Sequence, residues 1–330
     1  MNRRTPILLL MLVLAATSVF GQVNLKLGVA APKNSPWGMS LDRLAADWRR
    51  ISGGKVTLTV YAGTLGDDNS IIQKMRFGLD AGVFPSTGLS LIYEDILALS
   101  IPTLVRDDAE LRAVLKELDA PFRAEIGRKG YTILTYSSAG WVWLFSRRPI
   151  AKPSDIQNLK VAVPVDDRKM SRMLQAAGAV PVQVDLQNLV GQIATGAVDA
   201  LLFSPSLVQA QWSFFKSYLP YVSDMRISPF VGAALVNTRS WDRVPADLRR
   251  PLMEAADRMA EDLAREADRL DDVAIKAMTS DGLSVVPLSA ADRAAWYEVF
   301  VANRERFVRD LFSKDVLDAI DRAVRSRGRP

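Results

Sequence analysis

Neither cysteine nor histidine occurs in the 330 residues. Without thiols there can be no disulfide, no thiolate nucleophile and no cysteine-ligated metal. Without imidazole, the one side chain whose unperturbed charge changes between pH 5 and 8 is missing, and with it the usual base of nucleophilic catalysis. An enzyme built from this chain would have to run on lysine or carboxylate chemistry, and no catalytic, cofactor or metal motif offers it. Ser52-Gly53-Gly54-Lys55 lacks the spacing of a phosphate loop and lies between a helix pattern and a strand pattern, the reverse of that motif's order. Ser213-Phe214-Phe215-Lys216 has the Ser-x-x-Lys form, but its Lys-Thr-Gly partner is nowhere in the chain. Long apolar runs are scarce too. The main one, Ile7 to Ala16, is about half the ~20 residues a bilayer-spanning helix needs.

Apolar residues make up 49% of the composition, and the length is sufficient for two domains with cores of their own. The net charge is +5, but Lys and Arg alternate with Asp and Glu throughout, so no basic stripe marks a nucleic-acid surface. The first residues carry an export pattern. Asn2-Arg3-Arg4 is a positive start, Ile7 to Ala16 an apolar middle, and Val19-Phe20-Gly21 a cleavage site. Residues 1–21 are therefore expected to be a signal peptide cleaved after Gly21, with the mature protein outside the cytoplasm.

The rest of the chain alternates strand and helix signals. Val23 to Val29 alternates as a strand, Ala31 to Gly38 is a turn-rich loop, and Met39 to Ile51 is a helix. Val56 to Tyr61 is a strand, and Asp67-Asp68 caps a helix from Asn69. Ala81 to Ser90 reads as strand then turn, Asp107 to Leu118 as a helix, and Tyr131 to Tyr136 as a strand. The stretch from Ser138 to Asp199 organises the whole. Ala139 to Phe145 is a strand; Lys160 to Pro164, Val180 to Val184 and Gly196 to Leu202 are further strands. Between them lie a helix capped by Asp166 or Asp167 and ending at Gly178, and a second helix from Leu189 to Ala194. This β-α-β-α-β order implies a mostly parallel sheet. After a strand from Val231 to Asn237, Leu248, Leu252, Ala256, Met259, Leu263, Leu270 and Ala274 mark one face of a long helix from Pro245 to about Ser280. Amphipathic helices follow over Ala290–Val308 and Val316–Val324.

The ordered set Arg148-Pro149-Ile150, Asp155…Leu159-Lys160-Val161, Gly178-Ala179-Val180-Pro181 and Gly196-Ala197-Val198-Asp199 resembles the solute-binding proteins of tripartite ATP-independent periplasmic (TRAP) transporters. Leu65-Gly66-Asp67 with Gln73-Lys74-Met75-Arg76-x-Gly78, Ile101-Pro102-Thr103-Leu104 and the Asn237…Trp241 step extend the likeness over most of the chain. The resemblance implies an α/β periplasmic-binding-protein-like fold of two domains, residues 22–138 with 228–265 and 139–227 with 266–330. These would be joined by hinge strands crossing near Ser138 and Ile227 and backed by the long helix. It implies a binding protein, not an enzyme, without cofactor, that closes on a small molecule and hands it to integral-membrane subunits; a sensor on the same fold is the competing reading.

The resemblance also locates the cleft. Trp37 is a wall residue or a packing residue at a helix start. Phe84 and Ser86 lie in the loop that touches ligand in the family, and Trp141 and Trp212 complete the candidate lining. The family's two carboxylate-gripping arginines fall at Val142 and Ala162, its aromatic at Leu186, and its polar run at Phe203, or at Ser204 in the adjacent register. An apolar lining thus stands where the grip would be. Arg168 and Lys169, on a helix from Asp167, are expected to point to solvent. The expected ligand is an apolar or amphipathic molecule, with an organic acid on a relocated cation as the alternative. A pocket this unusual also suits an additional periplasmic carrier protein as partner.

Overall fold

In β1 (Val23–Val29), Leu25, Leu27 and Val29 are buried while Asn24 and Lys26 face outward, the period-two pattern of a strand with one covered face. The chain is described here from a computed structural model covering residues 22–165, 167–185 and 188–327; the expected signal peptide and Leu186 lie outside the described residues. After β1 come α1 (Pro36–Ile51), β2 (Val56–Ala62), α2 (Asp68–Arg76), β3 (Ala81–Pro85), the single turn α3 (Ser86–Leu89), α4 (Asp108–Arg128) and β4 (Tyr131–Ser146). Then follow β5 (Lys160–Pro164), α5 (Arg168–Ala176), β6 (Val180–Val184), α6 (Leu189–Ala194), β7 (Ala200–Phe203), α7 (Pro205–Gln209) and α8 (Trp212–Phe215). The chain ends with β8 (Tyr221–Ser223), β9 (Ser228–Asn237), α9 (Thr238–Trp241), α10 (Ala246–Ser280), β10 (Ser284–Val286), α11 (Ala290–Asp310) and α12 (Lys314–Arg325).

The strands line up as β2-β1-β3-β9-β4-β7-β5-β6. β1, β2 and β3 are parallel, as are β5, β6 and β7; β9 and β4 run antiparallel to their neighbours in both halves. The fold is thus two α/β domains that share long strands. β4 joins what the sequence suggested as two strands, 131–136 and 139–145. Register shifts at Ile133/Thr135 and Ser138/Trp141, together with Gly140 at φ +92°, bend it from one sheet into the other without a break.

Helices cover both faces of each half. Ser35 caps α1 by accepting the Gly38 N–H, and Trp48 of α1 donates its indole N–H to the Leu252 carbonyl of α10 at 3.0 Å. α4 continues past Leu118 through Pro121, because its apolar stripe continues with Phe122 and Ile126. At ~1.5 Å per residue the 35 residues of α10 span roughly 52 Å. Leu252, Ala256 and Met259 enter the core of the first domain, Ala274 and Met278 that of the second. α12 departs from the expected division: Leu317, Ile320 and Val324 share a core with Val114, Leu118 and Phe122 of α4, in the first domain. Its stripe shows that it packs, but not on what. Among the described residues no helix is long and apolar enough to cross a membrane.

Candidate functional site

Ligands of open parallel sheets sit beyond the carboxyl ends of the strands. In the second domain Phe203 ends β7, while Ala162 and Val182 stand at the middle of β5 and β6. Ala162 pairs with Val182, and Phe203 pairs with Trp143 of β4. All four are half-buried and pack against the same core, with Phe145 and Leu201 on their face of the sheet. They make an apolar platform. Alternation along β4 puts Val142 on the opposite face, so Trp143, which sequence reasoning passed over, stands beside Ala162 and Phe203 instead. Val142 is half-buried, and its carbonyl accepts the Ile227 N–H at 2.8 Å. Ser204 caps α7 at the rim, its hydroxyl 3.3 Å from that of Ser206.

Other candidate residues are built into the scaffold. Phe84 is fully buried, its ring against Gly82, and leaves no face for a ligand. Trp212 is buried against the end of α10 and donates its indole N–H to the Asp281 carbonyl at 3.3 Å. Trp141 is buried, donating its indole N–H to Asp108 at 3.1 Å. Ser86 is buried and donates to the Val231 carbonyl at 2.9 Å. Trp37 lies half-buried against the core between α1 and α10.

At the carboxyl ends of the first domain's strands the sequence reading missed a residue. Of Asp67 and Asp68 only the first caps α2, accepting the Ser70 N–H at 2.8 Å. Asp68 has one buried carboxyl oxygen with no hydrogen-bond partner; the other lies 2.6 Å from where a Cβ on Gly88 would stand, so only glycine leaves it room. Burial, and next the charge of Asp67, push its carboxyl up to about 6. The signal was there: two consecutive acids precede a helix that needs one cap.

Between the domains a cavity of about 270 Å³ is lined by Thr103, Arg106, Trp143, Asp224, Met225, Arg226 and Arg293. Its cations are all engaged. Arg106 grips Glu110 with two nitrogens at 2.5 and 3.0 Å, and Arg293 meets Asp224 at 3.0 Å. Arg226 lies 3.4 Å from Asp108 and 3.7 Å from Asp268, stacked over the Trp141 ring at 5.0 Å. Arg168 is exposed as expected. Lys169 is not: it donates to the Leu311 carbonyl at 2.5 Å, lies 3.5 Å from Glu94 and covers the Phe312 ring. The turn into α5 aims it at the first domain. A separate apolar space lined by Ile101, Leu144, Leu202 and Trp296, about 40 Å³, has room only for a few waters. Among the described residues no cluster of carboxylates could hold a metal ion.

The sequence of residues 27–310 matches the family described as bacterial extracellular solute-binding protein, family 7. The C4-dicarboxylate-binding periplasmic protein DctP of Rhodobacter capsulatus is 24% identical over 295 residues, 88% of each chain. A TRAP periplasmic solute-binding protein from Ochrobactrum anthropi, with its C-terminus bound in the ligand-binding pocket, superposes with a TM-score of 0.85 at 19% identity, covering 94% of this chain and 97% of its own. Another, from Shewanella oneidensis with bound succinate, gives 0.76 at 21% identity, covering 92% and 99%. Two α/β domains that share long strands, and a family match over most of the chain, lead to one conclusion: this chain belongs to the bacterial extracellular solute-binding proteins of family 7, the periplasmic receptors of TRAP transporters, and is a binding protein and not an enzyme.

Proposed function

We propose that this receptor captures an apolar or amphipathic small molecule between its domains and delivers it to the integral-membrane subunits of a TRAP transporter. The observation that carries the reading is the platform of Trp143, Ala162, Val182 and Phe203. A ligand carboxylate buried there would need a guanidinium or ammonium partner, and the nearby cations already hold carboxylates or carbonyls. Covering ~200 Å² of ligand hydrocarbon would contribute about 5 kcal/mol before the costs of association. Asp68, with an unused acceptor, suits a hydroxyl or amine at the ligand's polar end and repels an acid. Capture is by rotation about β4 and β9, with residues 22–138, 228–265 and 311–327 moving against 139–227 and 266–310. A cargo of low water solubility also favours an additional periplasmic carrier at the hand-over. The chain reaches the periplasm through the signal at residues 1–21.

A second reading draws on the relatives. The Rhodobacter protein is named for C4-dicarboxylates and the Shewanella protein holds succinate. An acid could be met here by Arg226 beside Trp143, if the ligand displaced Asp268 from it. Titration calorimetry separates the two. Succinate, orotate and sialic acid should give no heat, while decanol or indole should bind; micromolar affinity for any of the three acids would discard the apolar reading.

A further inference from the structure

One ionic cluster lies at the hinge crossings and takes no part in the apolar capture proposed above. Asp108 opens α4 in the first domain. Arg226 lies two residues before β9 and stacks on Trp141 of β4. Asp268 and Asp271 project from α10 where it passes into the second domain. Asp271 is buried, accepts the Ser206 N–H of α7 at 3.1 Å and the Trp141 N–H at 3.5 Å, and lies 2.7 Å from where a Cβ on Gly140 would stand. We propose that Asp108, Arg226, Asp268 and Asp271 form a proton-operated latch that ties the relative position of the two domains to pH. The proposal rests on the hinge reading above and goes beyond it.

The charge balance is the argument. One guanidinium serves three carboxylates. The other charged groups around them are committed elsewhere: Arg106 to Glu110, Arg293 to Asp224, and on α10 itself Arg265 to Glu261 and Asp262, Arg269 to Glu266. Burial, and next the charge of Asp108, push Asp268 up to about 6 even with Arg226 beside it; burial raises Asp271 as well. A protonated Asp268 donates a hydrogen bond to Asp108, so repulsion between α10 and α4 becomes attraction, while Arg226 keeps Asp108 and the Trp141 face.

If the two helices separate, Asp268 regains water and its ordinary carboxylate value. The observed arrangement therefore binds a proton more readily than a separated one. It gains stability as pH falls through about 6 and loses it as pH rises. The ratio of the two arrangements should change by about tenfold between pH 7 and pH 5.

The lack of native cysteine makes the measurement direct. Spin labels at Lys116→Cys on α4 and Gln175→Cys on α5, both exposed, report the interdomain distance by pulsed electron paramagnetic resonance. The population at this structure's separation should rise about tenfold relative to the other as pH is lowered from 7 to 5. In the labelled Asp268→Asn protein, whose amide mimics the protonated acid, that population should already be high at pH 7.5 and stay constant. Two distances whose ratio ignores pH, or an Asp268→Asn protein that responds like the parent, would overturn the latch and leave the hinge standing. A single narrow distance at every pH would overturn both.

Discussion

Asp68 is half-buried in the first domain, and the charge closest to it is that of Asp67, of its own sign. Its ionised form is disfavoured in the folded protein, so folding stability rises as pH falls through about 6 toward the ordinary carboxylate range, and is reduced above it. Asp68→Asn should therefore stabilise the protein at pH 7.5 by about 1–2 kcal/mol, discounted for partial solvation, and change nothing below pH 4. Urea titrations at the two pH values check this, and equal midpoints at pH 7.5 would mean that the carboxylate is solvated after all. Individual residues were the least legible level of the sequence. The apolar lining proposed for the site rests on residues such as Ala162 and Phe203, whose type is read directly from the sequence. That Trp143 and not Val142 joins them depends on the register of a bent strand. That Lys169 turns inward depends on where α5 begins.

Elements were more legible. α10 is bounded as its apolar spacing predicts, and the β-α-β alternation from Ser138 to Asp199 survives strand by strand. The continuous β4 was not foreseen, since Ser137-Ser138 separates two apolar runs in the local pattern, while here Gly140 permits a bend. Its φ of +92° and the nearby Asp271 carboxylate both exclude a side chain. Gly140→Ala should cost about 2 kcal/mol or more in thermal or urea unfolding, part backbone strain and part collision. Gly196→Ala is the control. Its φ is +72° but the space around it is open, so it should cost only about 1 kcal/mol. Equal losses would show that Asp271 simply moves aside.

At the scale of the whole molecule, the export proposal is tested at residues 1–21. Protein recovered from the cell envelope should begin at or near Gln22 by N-terminal sequencing; intact Met1 in the cytoplasm would remove the export reading. The two-domain architecture was legible through the order of motifs. The docking of α12 was not, because an amphipathic stripe names no partner. That docking, together with the long strands, has a mechanical consequence. β4, β9, α10 and α11 each carry the chain between the bodies, since α11 holds the Ala151 carbonyl through Trp296 and buries Phe307 beside α12 in the core of the first. A body held by one or two tethers can swivel and twist. One held by four, of which two are hydrogen-bonded side by side and one is a continuous helix that can only bend, retains little beyond a single rotation, like a door on several pins. Under the proposed closure, the jaws would meet in essentially one register whatever the solute, so the shape of the closed cavity would be fixed by the frame before any ligand arrives.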